Sequence, residues 1–248
     1  MEKEDYLPSF NNVKNEFSEG RNVYEGYQRG WGLQFGDLRE KILNDPLYIE
    51  ALEVAKGRTI VAEDNRLNIF LILKYFLPKI PVGHIVEFGS YKGGMAIFTA
   101  YIVNKLYPGT KVYSLDTFIG MPATDKNRDL HNKGDFSGVD YQELVEYTED
   151  MGLSNLFFVK GLFEKTAINI LDQVKRISLC HIDCDIYTSV SYAYETTKSY
   201  MVPRGYIVFD DACFSSCIGA TDVVEKQVIM CDKLLSEQIY PHFVFRAP

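Results

Sequence analysis

The sequence has no basic N-terminal stretch leading into an apolar one. Met1 to Phe10 opens instead on the charged run Glu2, Lys3, Glu4 and Asp5, the reverse of a secretory signal peptide. It also lacks an apolar run of the roughly 20 residues needed to cross a bilayer: Ile69 to Leu77 is interrupted by Lys74 and closed by Pro78, and reads as a buried helix. Cationic excess is missing as well. With a formal net charge of -8 and a pI of about 5.1, the chain on average repels duplex nucleic acid and anionic membrane surfaces. The expectation is a cytoplasmic protein that acts on a small molecule, with no nucleic acid and no membrane as partner; a homo-oligomer stays open. The five cysteines are an odd set, and Cys180/Cys184 and Cys213/Cys217 enclose three residues each rather than the two usual in zinc motifs. Reduced thiols follow from that spacing, with neither a disulfide framework nor a zinc ribbon. No internal repeat and no low-complexity segment is found.

What is present is enough for one core: 248 residues, 46% of them hydrophobic, need no disulfide to fold. From His84 onward, short apolar runs alternate with helix-length segments. The strand candidates are His84 to Phe88, Lys111 to Leu115, Leu156 to Lys160, Ile177 to Ile182, Tyr206 to Phe209 and Phe243 to Phe245. Between them, Gly94 to Leu106, Tyr141 to Met151, Glu164 to Val174, Thr188 to Tyr200 and Thr221 to Gln238 are long enough for helices. This rhythm predicts an α/β fold with a doubly wound, Rossmann-like parallel sheet. Residues 1–58 lack it and carry aromatic and glycine punctuation (Tyr24, Tyr27, Trp31, Gly32, Phe35, Gly36), so they read as an N-terminal extension to a domain spanning 59–248. Asp64 is expected to cap an amphipathic helix through Leu67, Phe70, Leu71 and Lys74. Residues 119–138 form one long polar insertion, a candidate lid.

In such a sheet, ligands bind beyond the carboxyl ends of the strands. The first strand ends in Glu87, Phe88, Gly89, Ser90, Tyr91, Lys92, Gly93 and Gly94, glycines that let the backbone approach a ligand. The G-x-G pair of dinucleotide sites is absent. The second strand runs into Asp116, where a carboxylate could accept from a ribose diol. Glu87 would sit close to a cationic ligand. Beyond the later strands lie Asp183, Asp185, Asp210 and Asp211, four carboxylates predicted at one edge. Like charges so close raise one another's pKa unless a cation neutralises them, and an all-oxygen set suits Mg2+ or Mn2+. Taken singly, each acid could merely cap a helix or turn. His181 reads as a hydrogen-bonded structural residue, His131 falls in the lid, and Tyr187 either lines a pocket or packs.

Three segments, Val86 to Gly94, Asp116 to Pro122 and Asp183 to Tyr187 with the later pair Asp210/Asp211, together resemble the macrocin O-methyltransferase (TylF-type) family of metal-dependent sugar methyltransferases. The likeness covers residues 58–248. It implies a class I methyltransferase sheet, S-adenosylmethionine as cofactor, and a hydroxyl of a sugar or glycosylated small molecule as acceptor. By the same resemblance Asp183, Asp210 and Asp211 would hold the metal, with Asp185 the general base beside Asp183. Asp116 would be the ribose ligand, Gly89 and Ser90 would approach the methionine end, Phe118 and Ser137 would lie near the adenine, and Gly93 and Thr117 complete the expected cofactor-binding set with Glu87. Tyr91, Lys92, Ile119 and Ala212 depart from the family's usual residues. Two other classes fit parts of the pattern: a metal-dependent glycosyltransferase, because D-x-D also binds a nucleotide-sugar diphosphate through a metal, and a non-catalytic binding module.

Overall fold

The computed structural model describes residues 38–248; the aromatic and glycine punctuation expected in 1–37 lies outside them. Seven strands form one sheet: β1 His84–Phe88, β2 Val112–Asp116, β3 Leu156–Lys160, β4 Ile177–Ile182, β5 Met201–Phe209, β6 Ser236–Gln238 and β7 Phe243–Arg246. Their order is β3-β2-β1-β4-β5-β7-β6. The first five pair in parallel, and β7 and β6 close the edge antiparallel. The doubly wound, Rossmann-like sheet is therefore present. No helix among the described residues is long and apolar enough to cross a membrane.

The helices are α1 Leu38–Leu43, α2 Pro46–Val54, α3 Glu63–Leu71, α4 Gly94–Leu106, α5 Tyr141–Asp150, α6 Phe163–Val174, α7 Tyr187–Thr197 and α8 Ile218–Val223. Alternation along each strand sends side chains to two cores. Ile85, Val112, Leu179, Val208 and Val244 face a cluster with Leu38, Tyr48, Phe70 and Phe98, whereas Val86, Phe88, Cys180, Ile182, Ile207 and Phe209 face one with Leu171, Tyr194 and Val223. Residues 38–58 thus join the first core rather than standing apart, through buried Leu38, Ile42, Tyr48, Ala51 and Ala55. In α6 the buried residues are Ala167, Leu171 and Val174, the spacing of one helical face.

Several expectations are corrected. Ala62 rather than Asp64 is the N-cap of α3; the Asp64 carboxylate is taken by Arg39 and Tyr240. The same helix ends near Pro78, as expected, loosening after Leu71 into a π turn, Ile72–Phe76, and a 3-10 turn carrying Pro78. The expected helix Thr221 to Gln238 begins earlier, at Ile218, continues as a π turn to Cys231, and gives way to β6. The second strand sits one residue later than expected, which makes Asp116 its last member.

Register then fixes the site. Phe88 pairs with Leu115 and Ile182, and Ile182 with Phe209. The ladder continues one step further, with Gly89 N donating to Leu115 O, Asp183 N to Phe88 O and Asp210 N to Ile182 O. Gly89, Asp116, Asp183 and Asp210 consequently form one row along the carboxyl edge. At Gly89 the backbone has φ +94, and an added Cβ would lie 1.6 Å from the Asp183 carbonyl oxygen. Only glycine lets the two strand ends approach so closely. Gly89→Ala is expected to lower stability by at least about 2 kcal/mol; a urea denaturation midpoint near that of the wild type would show the approach to be soft.

Candidate active site

A cavity of about 690 Å³ opens at this edge. Its walls come from the glycine turn (Gly89, Ser90, Tyr91, Gly94), Asp116 and Thr117, the lid (Gly120 to Ala123, Phe136), Leu162 to Lys165 after β3, Asp183 to Ile186, Asp210 and Asp211. Arg58 to Ala62, the link into α3, forms a further wall that the sequence did not signal.

The cofactor residues divide. The Asp116 carboxylate anchors the glycine turn: its Oδ2 accepts from Ser90 N at 2.8 Å and Tyr91 N at 2.9 Å, and its Oδ1 from Phe118 N at 2.8 Å. The Thr117 hydroxyl lies 3.3 Å from Oδ1 but 2.7 Å from Gly120 O. Its one proton goes to the nearer oxygen, so Oδ1 keeps one open lone pair, room for a single ribose hydroxyl rather than both. The Ser90 Oγ is buried without a hydrogen-bond partner, and Ser90 lines the cavity. A polar ligand atom would satisfy it.

Four of the expected cofactor residues do not line the cavity. Glu87 faces the sheet interior, accepting from Ser114 Oγ at 2.6 Å and lying 3.2 Å from His181 Nδ1, and does not line the cavity. Phe118 is buried against Tyr141 and Phe158. Gly93, at φ +77, is the left-handed N-cap of α4 under Leu144 and Phe158. Ser137 is exposed, while its neighbour Phe136 lines the cavity. Tyr187 packs: its N–H donates to Asp129 at 2.9 Å and the Arg128 guanidinium lies 4.0 Å above its ring.

The carboxylates form two groups. One oxygen from each of Asp183, Asp210 and Asp211 falls within 4.8 Å of the others. Burial, then the charges of Asp210 and Asp211, hold Asp183 well above the usual carboxylate range; burial, then Asp185 and Asp210, do the same to Asp211. Asp210 differs. Burial opposes its charge, yet His242 and His181 drive it well below that range. His242 Nε2 lies 2.7 Å and His181 Nε2 3.1 Å from Oδ1, and Asn65 Nδ2 donates to Oδ2 at 2.9 Å. Burial alone would neutralise His181, but its bonds to Asp210 and Glu87 keep it charged. Strand parity explains this row: Glu87, His181 and Asp210 share the sheet face that meets α3. Asp183 and Asp211, held towards their neutral forms beside an ionised Asp210, are a set that a divalent cation could neutralise, and three hard oxygens suit Mg2+ or Mn2+. His181, His242 and Asn65 would then be the outer supports of a metal ligand. The last two were not anticipated, because an Asn inside a helix and a His after Pro241 carry no spacing signal.

Asp185 turns away. It sits at φ +58, its N–H donates to Asp211 Oδ2 at 2.9 Å, and its carboxylate faces His131 and Cys217. Burial raises it to about 6, against the opposing charge of His131. The lid closes nearby through Asp129, which accepts from Asp125 N and Tyr187 N, and through Gly219 N donating to Arg128 O.

The profile described as macrocin-O-methyltransferase (TylF) matches residues 71–234. The chain belongs to the macrocin O-methyltransferase family. An 8-demethyl-8-(2,3-dimethoxy-alpha-L-rhamnosyl)-tetracenomycin-C 4'-O-methyltransferase from Streptomyces olivaceus is 27% identical over 149 residues, 56% of each chain, so this family member spans about half the length of that curated relative. Among solved structures, the O-methyltransferase NovP superposes with a TM-score of 0.63 at 19% identity, covering 84% of this chain and 94% of NovP. CalS11, a calicheamicin methyltransferase, gives 0.62 at 18% identity, covering 84% and 89%. These likenesses establish a shared methyltransferase fold.

Two outcomes follow for this family member. Asp183 and Asp211 have folded pKa values above their unfolded ones, so as pH rises from about 4 the cation-free protein loses stability, because the unfolded chain ionises first. Mg2+ bound by these acids would relieve that penalty, so its upward shift of Tm is expected to be larger at pH 8 than at pH 5.5; an equal shift at both would exclude these acids as ligands. Asn65→Ala, which frees Asp210 Oδ2 from its support, is expected to weaken Mg2+ by about 10- to 100-fold in a calorimetric titration, and unchanged affinity would remove Asn65 from the site.

Proposed function

We propose that this protein transfers a methyl group from S-adenosylmethionine to a hydroxyl of a sugar or a glycosylated small molecule, with Mg2+ or Mn2+ held by Asp183, Asp210 and Asp211. One observation carries the reading: the glycine turn, Asp116 and the three acids line one cavity at the same sheet edge. Family membership supports it, as does the rhamnosyl 4'-O-methyltransferase activity named for the Streptomyces relative. A glycosyltransferase would use the acids for a diphosphate, which leaves the Asp116-anchored turn and the orphan Ser90 hydroxyl without a role.

When bound, the cofactor supplies an electrophilic methyl group and the cation lowers the pKa of the acceptor hydroxyl. The chain does the rest. Ser90 and the one open lone pair of Asp116 Oδ1 orient the cofactor. Asp185, with a pKa of about 6, is ionised at neutral pH and close enough to it to accept the hydroxyl proton efficiently. Met121, Pro122 and Phe136 of the lid line the cavity, and the lid closed over a bound acceptor would exclude water from the reacting atoms. Residues 38–58 belong to the catalytic unit, since their helices help fill its core.

S-adenosylhomocysteine is expected to bind in the micromolar range, and Asp116→Ala to weaken it about ten- to a hundredfold through loss of charge-assisted hydrogen bonds. Binding of a nucleotide sugar with none of S-adenosylhomocysteine would reverse the reading. Asp185→Asn is expected to keep cofactor and Mg2+ affinity while lowering kcat about 10²- to 10⁴-fold; a nearly active variant in a methyl-transfer assay with a rhamnosylated acceptor would reduce Asp185 to a structural residue.

A further inference from the structure

The geometry points to a second cation site, for a thiolate-favouring divalent ion such as Zn2+, formed by His131, Asp185 and Cys217 and able to switch the enzyme off. These residues come from the lid, the turn after β4 and the residue just before α8, and one ligand atom from each lies within 4.8 Å of the others. His131 Nε2 is 3.5 Å from Asp185 Oδ1, Cys217 Sγ is 3.7 Å from that same oxygen, and Cys217 Sγ is 3.8 Å from His131 Nε2.

The two sulfur contacts are within reach of weak thiol hydrogen bonds, whereas the 3.5 Å between His131 Nε2 and Asp185 Oδ1 is longer than an ordinary N–H to O bond of up to about 3.2 Å. Together the three distances match one face of a coordination tetrahedron. With zinc bonds of about 2.3 Å to sulfur and about 2.0 to 2.1 Å to nitrogen and oxygen, tetrahedral ligand atoms stand about 3.3 to 3.6 Å apart. Taken pair by pair, about 3.3 Å between nitrogen and oxygen and about 3.6 Å between either and sulfur, the three separations are longer by only about 0.1 to 0.2 Å. A second observation points the same way. The other ring nitrogen of His131 faces Asp135 Oδ2 at 3.5 Å, and Asp135 is itself fixed by accepting from Asn132 N at 2.8 Å. A carboxylate behind a histidine is the arrangement that orients metal-binding imidazoles. The mixed nitrogen, oxygen and sulfur set also separates this site from the all-oxygen trio, because thiolate favours zinc over magnesium. Cys217 is buried, and burial, then Asp211, pushes its thiol well up, so a cation is what would draw the thiolate out.

Three protein ligands leave a fourth position open. An ion here would occupy the Asp185 oxygen that turnover needs and pin the lid to the turn after β4 and to the start of α8. The regulatory half of this inference depends on Asp185 being the base; the site itself does not.

The test uses the full chain saturated with Mg2+, and Co2+ as a spectroscopic stand-in for Zn2+. One equivalent of Co2+ is expected to bind with a near-ultraviolet thiolate-to-cobalt band that Zn2+ displaces. Cys217→Ser removes the band, His131→Ala weakens Co2+ at least about 100-fold, Asp135→Asn weakens it about tenfold, and Asp210→Asn keeps the band. A wild type without the band, or a band that survives Cys217→Ser, overturns the site. In turnover, one equivalent of Zn2+ is expected to slow Mg2+-supported methyl transfer at least about tenfold, and His131→Ala to relieve it. Zn2+ that binds through Cys217 without slowing turnover overturns the switch. A protein with no methyl transfer under any condition refutes the methyltransferase reading instead, and the cobalt band still decides the site.

Discussion

The structure depends on the electrostatics of one buried carboxylate. Asp210 stays ionised in the interior because two imidazoles and an asparagine amide meet it, and unsupported burial of such a charge would be prohibitive. Those partners come from β4, the segment before β7 and α3. The row continues through His181 to Glu87 and Ser114, and through His242 to Asn68 and Gln238. One chain of polar contacts thus crosses the sheet from β2 to β6 beneath the cavity. The antiparallel edge hairpin, remote from the glycine turn, is thereby tied into the floor of the site.

Against this fixed floor the other acids are free to do chemistry. Burial and mutual repulsion hold Asp183 and Asp211 towards their neutral forms, and under the proposed function both ionise around the cation. Asp185, two residues on, is swung aside by a left-handed backbone held by the Asp211 carboxylate. A single backbone torsion therefore points the two carboxylates of the D-x-D pair in different directions, the geometry on which the proposed division into ligand and base rests. A strand that simply continued would have sent both carboxylates to the same side.

Much of this was legible from the residues. Hydrophobic alternation placed β1, β3 and β4 to the residue, and strand ends rich in glycine and aspartate located the cavity. The failures have physical causes. Glu87 was read as facing a ligand, but strand parity turns it inward to His181, and that parity is visible only once the pairing is known. Phe118 belongs to a segment that follows Asp116 into the cavity wall, yet its own ring turns back onto Tyr141. The helix expected through Gln238 gave no sign of ending at Cys231, since Ser236 to Gln238 become a strand only by pairing with β7. His131, Asp185 and Cys217 are 54 and 32 residues apart in sequence, a separation no motif spacing could reveal.

Gly89 has a consequence for how such a protein can change. Its α-carbon lies against the Asp183 carbonyl, so the glycine turn and the strand end that carries the first acid are a single mechanical piece. Under the proposed function, the span between donor and cation would be a constant of the backbone, closed to adjustment by side-chain substitution. Variation in which hydroxyl is presented must therefore be written elsewhere, in the lid and in the Arg58 to Ala62 wall. Divergence across relatives is expected to collect in those two loops while the sheet edge stays the same.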